Sequence, residues 1–148
     1  MQISDFLSRE NVLFNARLGD KNELLEKLAL AASTKISVPA GEILAELTNR
    51  EKLGSTGLGD GIAVPHARLS SIIKPFGVFA RLKQPIDFDA IDGKPVDIVF
   101  LLLLPPKTQS ESLSALARVA RKLRVAENAE RLRRAANADD LFQQVVAS

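Results

Sequence analysis

The chain has 148 residues, 46% of them hydrophobic and 26% charged, with a formal net charge of +2 and a single histidine. That is enough for one domain with a substantial core, of ordinary globular composition. With no cysteine, disulfides, thiolate metal sites and a cysteine nucleophile are excluded, a lone histidine argues against a zinc or iron centre, and so mild a charge excess points neither toward nor away from nucleic acid. The stretch Met1-Gln2-Ile3-Ser4-Asp5 lacks the pattern of a signal peptide. The most apolar run, Val96 to Leu104, carries Asp97 and is too short to span a bilayer. A single cytoplasmic domain over residues 1–148 is the expectation.

Taken in order, Ile3 to Leu7 suits a short helical turn and Asn11 to Phe14 an early strand. Asp20 followed by Glu23 is a capping-box pattern. The helix it opens aligns Leu24, Leu28 and Ala31, with Leu25, Ala29 and Ala32 adjoining, and ends near Ile36. Pro39 opens a second helix with Ile43, Leu44 and Leu47 as its buried stripe, and Gly54 stops it. Ile62 to Val64 suits a short extended segment, Ser70 to Lys74 is ambiguous, and Phe76 to Leu82 reads as a strand. Pro85 to Gly93 reads as a connector ending in an Asp-Gly turn. Val96 to Leu104 is the clearest strand, and its continuous apolar half predicts burial on both faces beneath helices. After Pro105-Pro106, Leu113, Leu116, Ala117, Ala120 and Leu123 mark an amphipathic helix. Asn128 to Ala136 and Asp139 to Val146 complete a helical tail capped by Asn137 or Asp139. Mixed strands and helices without repeat or linker predict one layered α/β domain.

The chemistry concentrates between Arg50 and Arg68. Four of the eight glycines fall in Gly54-Ser55-Thr56-Gly57-Leu58-Gly59-Asp60-Gly61, where the backbone must bend sharply or approach something closely. His66 follows Pro65, which disfavours helix at Val64. Neutral imidazole is a nucleophile that accepts a phosphoryl group without a cofactor, and the group's oxygens need cations and donors around them. Arg50, Arg68, Ser55, Thr56 and the loop amides, including that of Gly57, are the candidates, although each also suits a solvated polar surface. The glycine run lacks the Gly-Lys-Ser/Thr of a Walker loop, and a helix rather than a strand precedes it, unlike a dinucleotide fingerprint. No Gly-x-Ser-x-Gly marks a hydrolase serine. Asp87, Asp89 and Asp92 fit a polar turn better than paired catalytic acids. The basic residues Arg118, Arg121, Lys122, Arg124, Arg131, Arg133 and Arg134 are interrupted by Glu127 and Glu130, and fit a solvated helix face better than a nucleic-acid surface.

Arg50-Glu51-Lys52-x-Gly54-Ser55-Thr56-Gly57-x-Gly59-x-Gly61-Ile62-Ala63-Val64-Pro65-His66 resembles the active-site signature of enzyme IIA of the mannitol/fructose class in the bacterial phosphotransferase system. The nearest likeness is to the nitrogen-regulatory branch, which Pro85 to Asp97 also resembles. The resemblance implies a mixed sheet flanked by helices, and phosphoryl transfer through a phosphohistidine, here His66 at Nε2. It further implies a donor histidine phosphocarrier protein of the HPr or NPr kind, regulated target proteins, and a reaction that requires neither nucleotide nor metal. Arg50 matches the family's active-site arginine. Members commonly carry a second active-site histidine at the position of Ser112, whose hydroxyl bonds a phosphoryl oxygen but brings no charge; Arg68 is a candidate to compensate. The competing expectation is a non-catalytic interaction module whose basic helices bind an acidic protein or nucleic acid.

Overall fold

The computed structural model describes residues 1–106 and 109–147. After 3-10 turns at Ile3–Asp5 and Arg9–Asn11, strand β1 covers Val12–Ala16, α1 Lys21–Ile36 and α2 Ala40–Lys52. Three short strands follow, β2 Gly57–Gly59, β3 Ile62–Ala63 and β4 His66–Arg68, then the long pair β5 Phe76–Ile86 and β6 Val96–Leu104. Helices α3 Gln109–Arg124, α4 Ala126–Arg134 and α5 Ala138–Val146 close the chain. The caps form where the sequence places them. Asp20 accepts the Glu23 amide at 2.8 Å, and Asn137 accepts that of Asp140 at 2.8 Å, each satisfying an amide that has no partner within its helix. No helix among the described residues is long and apolar enough to cross a membrane.

Among the described residues the sheet has six strands, ordered β1-β5-β6-β3-β2, with β4 also paired to β6. It is mixed: β5 runs antiparallel to β6, whereas β1 is parallel to β5 and both β3 and β4 are parallel to β6. The two-residue period of a strand explains the apolar run in β6. Val99, Leu101 and Leu103 enter a core shared with α1 and α2. Ile98, Phe100, Leu102 and Leu104 enter a second core with α3, α4 and α5. Helices therefore cover both faces of the sheet, the layered α/β arrangement expected.

Three details differ from the sequence reading. β5 continues to Ile86, which pairs with Val96, so the connector begins only after Ile86; the register is irregular between Arg81 and Ile86, and Pro85, with no amide to donate, is tolerated there. In α1 the fully sheltered positions are Leu24, Leu25, Leu28, Ala29 and Ala32, with Ala31 at the margin. In α3 the buried stripe is Ser112, Ala115, Val119 and Leu123, whereas Leu113 is 60% exposed. The helix is rolled roughly a quarter turn from the orientation its largest apolar residues suggest, although Leu123 and partly buried Leu116 still pack against the second core.

Arg81 is the buried cation of β5, whose other cation, Lys83, is exposed. Its Nη1 donates to the carbonyls of Leu132, Arg133 and Ala135 at 3.0, 3.2 and 2.8 Å, and its Nη2 to Asn15 Oδ1 at 2.8 Å. A buried guanidinium thereby caps the C-terminal end of α4, where a positive charge also meets the helix dipole favourably.

Candidate functional site

His66 starts β4, a strand at the sheet edge held only to β6, in register with Leu102. Strand alternation sends Ala67 into the α1–α2 core and leaves His66 and Arg68 on the other side. The preceding residues fix the backbone: Pro65 is buried, its carbonyl accepts the Leu102 amide at 2.9 Å, and the Val64 amide donates to Thr56 O at 3.0 Å.

The imidazole is oriented at both nitrogens. Nδ1 lies 2.8 Å from Val64 O. A carbonyl only accepts, so Nδ1 carries the proton and Nε2 presents its lone pair. Arg50 Nε approaches Nε2 to 3.4 Å, while Arg50 Nη1 donates to Gly54 O at 2.9 Å. The last turn of α2 thus places a guanidinium beside the free nitrogen and anchors it to the chain reversal that follows the helix.

Burial pushes the His66 pKa below its ordinary value of 6.5, and the charges of Arg50 and Arg68 push the same way; the bond to Val64 and the charge of Glu51 oppose them. The net effect favours the neutral, nucleophilic form of the ring. An NMR titration of the His66 ring is expected to show a midpoint below 6.5, and Arg50→Met is expected to raise it. Because the folded-state value lies below the unfolded one, the linked stability is complete above the unfolded value and is lost as the pH falls through the folded one. A midpoint above 6.5 contradicts this arrangement.

His66 opens into a shallow cleft of about 360 Å³ lined by Glu46, Arg50, Leu53, Arg68, Leu104 and Leu116 among others. Leu53 is 85% exposed at its rim. Arg68 Nη1 donates to Pro105 O at 2.9 Å, so the second arginine lining the cleft is anchored to the end of β6. Ser112 is fully buried, its hydroxyl 3.4 Å from the same Pro105 carbonyl, and it is not among the cleft-lining residues. Leu116, one turn further along α3, is what that helix brings to the cleft.

The glycine segment is more committed than its composition suggests. The Gly54 amide donates to Glu51 O at 3.1 Å, the Thr56 amide to the Glu51 carboxylate at 3.1 Å and the Gly57 amide to Ser55 Oγ at 3.1 Å. Ser55 Oγ donates to Phe88 O at 2.8 Å, and the Thr56 hydroxyl donates to Glu51. The expected cradle of free amides is thus absent at these three residues, because the loop spends its donors holding itself against α2 and the 88–90 segment. Gly57 answers to packing, since a Cβ there would lie 2.8 Å from that of Ala90; Gly61, at φ +83°, would place one 2.6 Å from Arg133 Nη2, whereas Gly54, at φ +147° with open space around it, answers to backbone conformation alone.

Glu51 and Lys21 form a further contact that spacing in the sequence does not reveal. The Glu51 carboxylate is 7% exposed and lies 3.0 Å from Lys21 Nζ, which also stacks 4.4 Å over the Phe88 ring. One acid therefore ties α1, α2 and the glycine segment together beside Arg50. Lys21 and Glu51 lie too far apart in sequence for periodicity to link them; the acid within the Arg50-Glu51-Lys52 signature was the available hint.

The family model of the phosphoenolpyruvate-dependent sugar phosphotransferase system, EIIA 2, matches residues 5–147. A nitrogen regulatory protein of Pseudomonas aeruginosa is 42% identical over 147 residues, covering 99% of this chain and 96% of that one. One from Bradyrhizobium diazoefficiens is 41% identical over 142 residues, covering 96% and 93%. The crystal structure of nitrogen regulatory protein IIA-Ntr from Neisseria meningitidis superposes with a TM-score of 0.92 at 34% identity, covering 97% of this chain and 98% of that one. With fold, signature and full-length similarity in agreement, the chain belongs to the EIIA 2 family of the phosphoenolpyruvate-dependent sugar phosphotransferase system.

Proposed function

We propose that this cytoplasmic carrier accepts a phosphoryl group on His66 Nε2 from the phosphohistidine of a histidine phosphocarrier protein, and that its phosphorylation state regulates target proteins. The observation that carries this reading is the imidazole locked through Nδ1–H to Val64 O, with a free Nε2 beside Arg50. The Nε2 lone pair attacks phosphorus in line, the donor's N–P bond breaks, and the donor imidazole leaves with that electron pair. No proton has to be removed from Nε2, so no general base is required. Arg50 turns its guanidinium from the lone pair to the phosphoryl oxygens, and the rest of the catalysis is positioning and charge neutralisation. The Val64 carbonyl keeps the Nδ1 proton in place as the ring gains positive character.

Regulatory output is supported by the full-length similarity to nitrogen regulatory proteins. A phosphoryl group brings roughly −2 charge at neutral pH, placed in a cleft whose rim carries exposed Leu53. That is a large change on a surface suited to meeting another protein. The test is incubation with enzyme I, the phosphocarrier protein and labelled phosphoenolpyruvate. An acid-labile, base-stable phosphoprotein is the expected product, and an unlabelled wild-type protein would refute the reading.

Arg50 and then Arg68 are the proposed phosphoryl-stabilising side chains; Ser112, buried outside the cleft lining, acts only through the Pro105 carbonyl it shares with Arg68, and Ser55, Thr56 and Gly57 contribute through the shape of the loop. Arg50→Ala is expected to slow acceptance by roughly 10²–10³-fold, the scale for loss of one preorganised donor. Arg68→Ala should slow it less, and Ser112→Ala least, because the serine hydroxyl is buried against Pro105 O. Equal, negligible effects of the last two in single-turnover transfer would remove Arg68 from the site.

A further inference from the structure

A second concave site lies away from His66, among the 3-10 turn at Ile3–Asp5, the C-terminal half of α3, the start of α4 and the end of α5. It is a cleft of about 280 Å³. Arg118, Arg121 and Lys122 line it at the i, i+3, i+4 spacing that puts all three on one helix face. Ile3, Val125 and Val146 supply an apolar wall.

Among the described residues, none of the three cations has a carboxylate partner. Arg118 Nε donates to Met1 O at 3.1 Å and Lys122 Nζ to Ala147 O at 2.6 Å, both neutral carbonyls. Arg121 has no side-chain hydrogen bond among the described residues. The nearby Arg131 does have a carboxylate partner, Glu127, at 3.8 Å. Burial, and then the charge of Arg131, hold the Lys122 ammonium below its ordinary pKa of 10.5, a cost that an incoming anion relieves. A merely solvated basic face would be convex and without an apolar wall. Here the like charges converge on a recess, where low-dielectric walls strengthen their attraction for an anion.

We propose that this cleft binds a small organic phosphate of about mononucleotide size, its phosphate held by Arg118, Arg121 and Lys122 and its body against Ile3, Val125 and Val146. Guanidinium groups match phosphate oxygens in pairs, and an ammonium adds a point charge. The Asn128 amide group, which donates to Lys122 O at 3.0 Å, keeps the mouth of the cleft in shape. The site is independent of phosphoryl acceptance at His66.

The test is calorimetric titration of the full chain with AMP, ADP and inorganic phosphate at physiological ionic strength, with amide shifts mapped by NMR. AMP and ADP are expected to bind, ADP the tighter, with shifts confined to residues around Ile3, Arg121 and Val146. Inorganic phosphate, which cannot use the apolar wall, should bind at least about tenfold more weakly. Arg121→Gln, an exposed change that breaks no internal contact, should weaken ADP at least about tenfold. Any of four results would overturn the proposal: no binding at millimolar ADP, unchanged affinity in Arg121→Gln, equal affinity for inorganic phosphate, or shifts centred on the His66 cleft. Selective binding of an acidic peptide in place of the phosphates would also overturn it. Labelling of His66 from phosphoenolpyruvate is expected to proceed unchanged in Arg121→Gln, so failure here and failure of the phosphoryl-acceptor reading are distinguishable.

Discussion

Alanine in place of His66 is expected to reduce phosphoryl labelling from phosphoenolpyruvate to background while leaving the protein folded. The chain contains no other imidazole and no thiol, so no neighbouring nucleophile of comparable strength can inherit the group. Its serines and threonines would need a base to activate them, and Ser112, Ser55 and Thr56 are committed to Pro105 O, Phe88 O and Glu51. Structurally the loss is modest. The half-buried ring contributes one bond to Val64 O and one contact with Arg50, on the order of 1 kcal/mol net per hydrogen bond. Circular dichroism should therefore show native helix content and a melting temperature lowered by only a few degrees. Label retained by a folded His66→Ala protein would place the acceptor elsewhere.

The second large effect is on stability. Glu51→Ala is expected to destabilise the fold by about 3 kcal/mol, the scale for removing one partner of a largely buried ion pair. At this chain length that is a fall in melting temperature of roughly 6–12 °C. The carboxylate accepts the Thr56 amide and hydroxyl and meets Lys21 at 3.0 Å, with only 7% of its side chain exposed. Its loss leaves the Lys21 ammonium above Phe88 with only the exposed Asp89 carboxylate, at 3.7 Å, and removes the acceptor that holds Thr56. Glu51→Gln should recover part of the stability by keeping an acceptor for Thr56. Thermal unfolding of the two variants checks this; a shift below about 2 °C for Glu51→Ala would mean that water replaces the carboxylate and that the loop holds itself.

Much of the scaffold was legible because local chemistry and final structure agree. Asp20 and Asn137 cap helices in any context that leaves their side chains free to fold back on the backbone. The Val96–Leu104 run could be stable only between two apolar layers. The candidate site was legible from type and spacing: a lone imidazole after a proline, with arginines at either end of a glycine segment. What was misread depended on partners far away in the chain. In α3, Leu123 and partly buried Leu116 pack as their spacing suggests, yet Leu113 and Ala117 are exposed while Ser112, Ala115 and Val119 are buried, because the docking of the helix on the sheet sets which face turns inward. The glycine amides looked available because nothing local shows that Glu51, Ser55 and Phe88 would claim the loop.

The residues alone determined the class of domain, the strands and helices with strong periodicity, and the imidazole on which the proposed chemistry rests, since each follows from contacts within a few positions. The tertiary structure decided which nitrogen of His66 is free, which of the two arginines meets it directly, and that Ser112 lies beneath the cleft rather than in it. It also brought Arg118, Arg121 and Lys122 against Ile3 and Val146 to make a recess from a basic stripe. These outcomes turn on distances of a few ångströms between segments tens of residues apart, and packing fixes those distances.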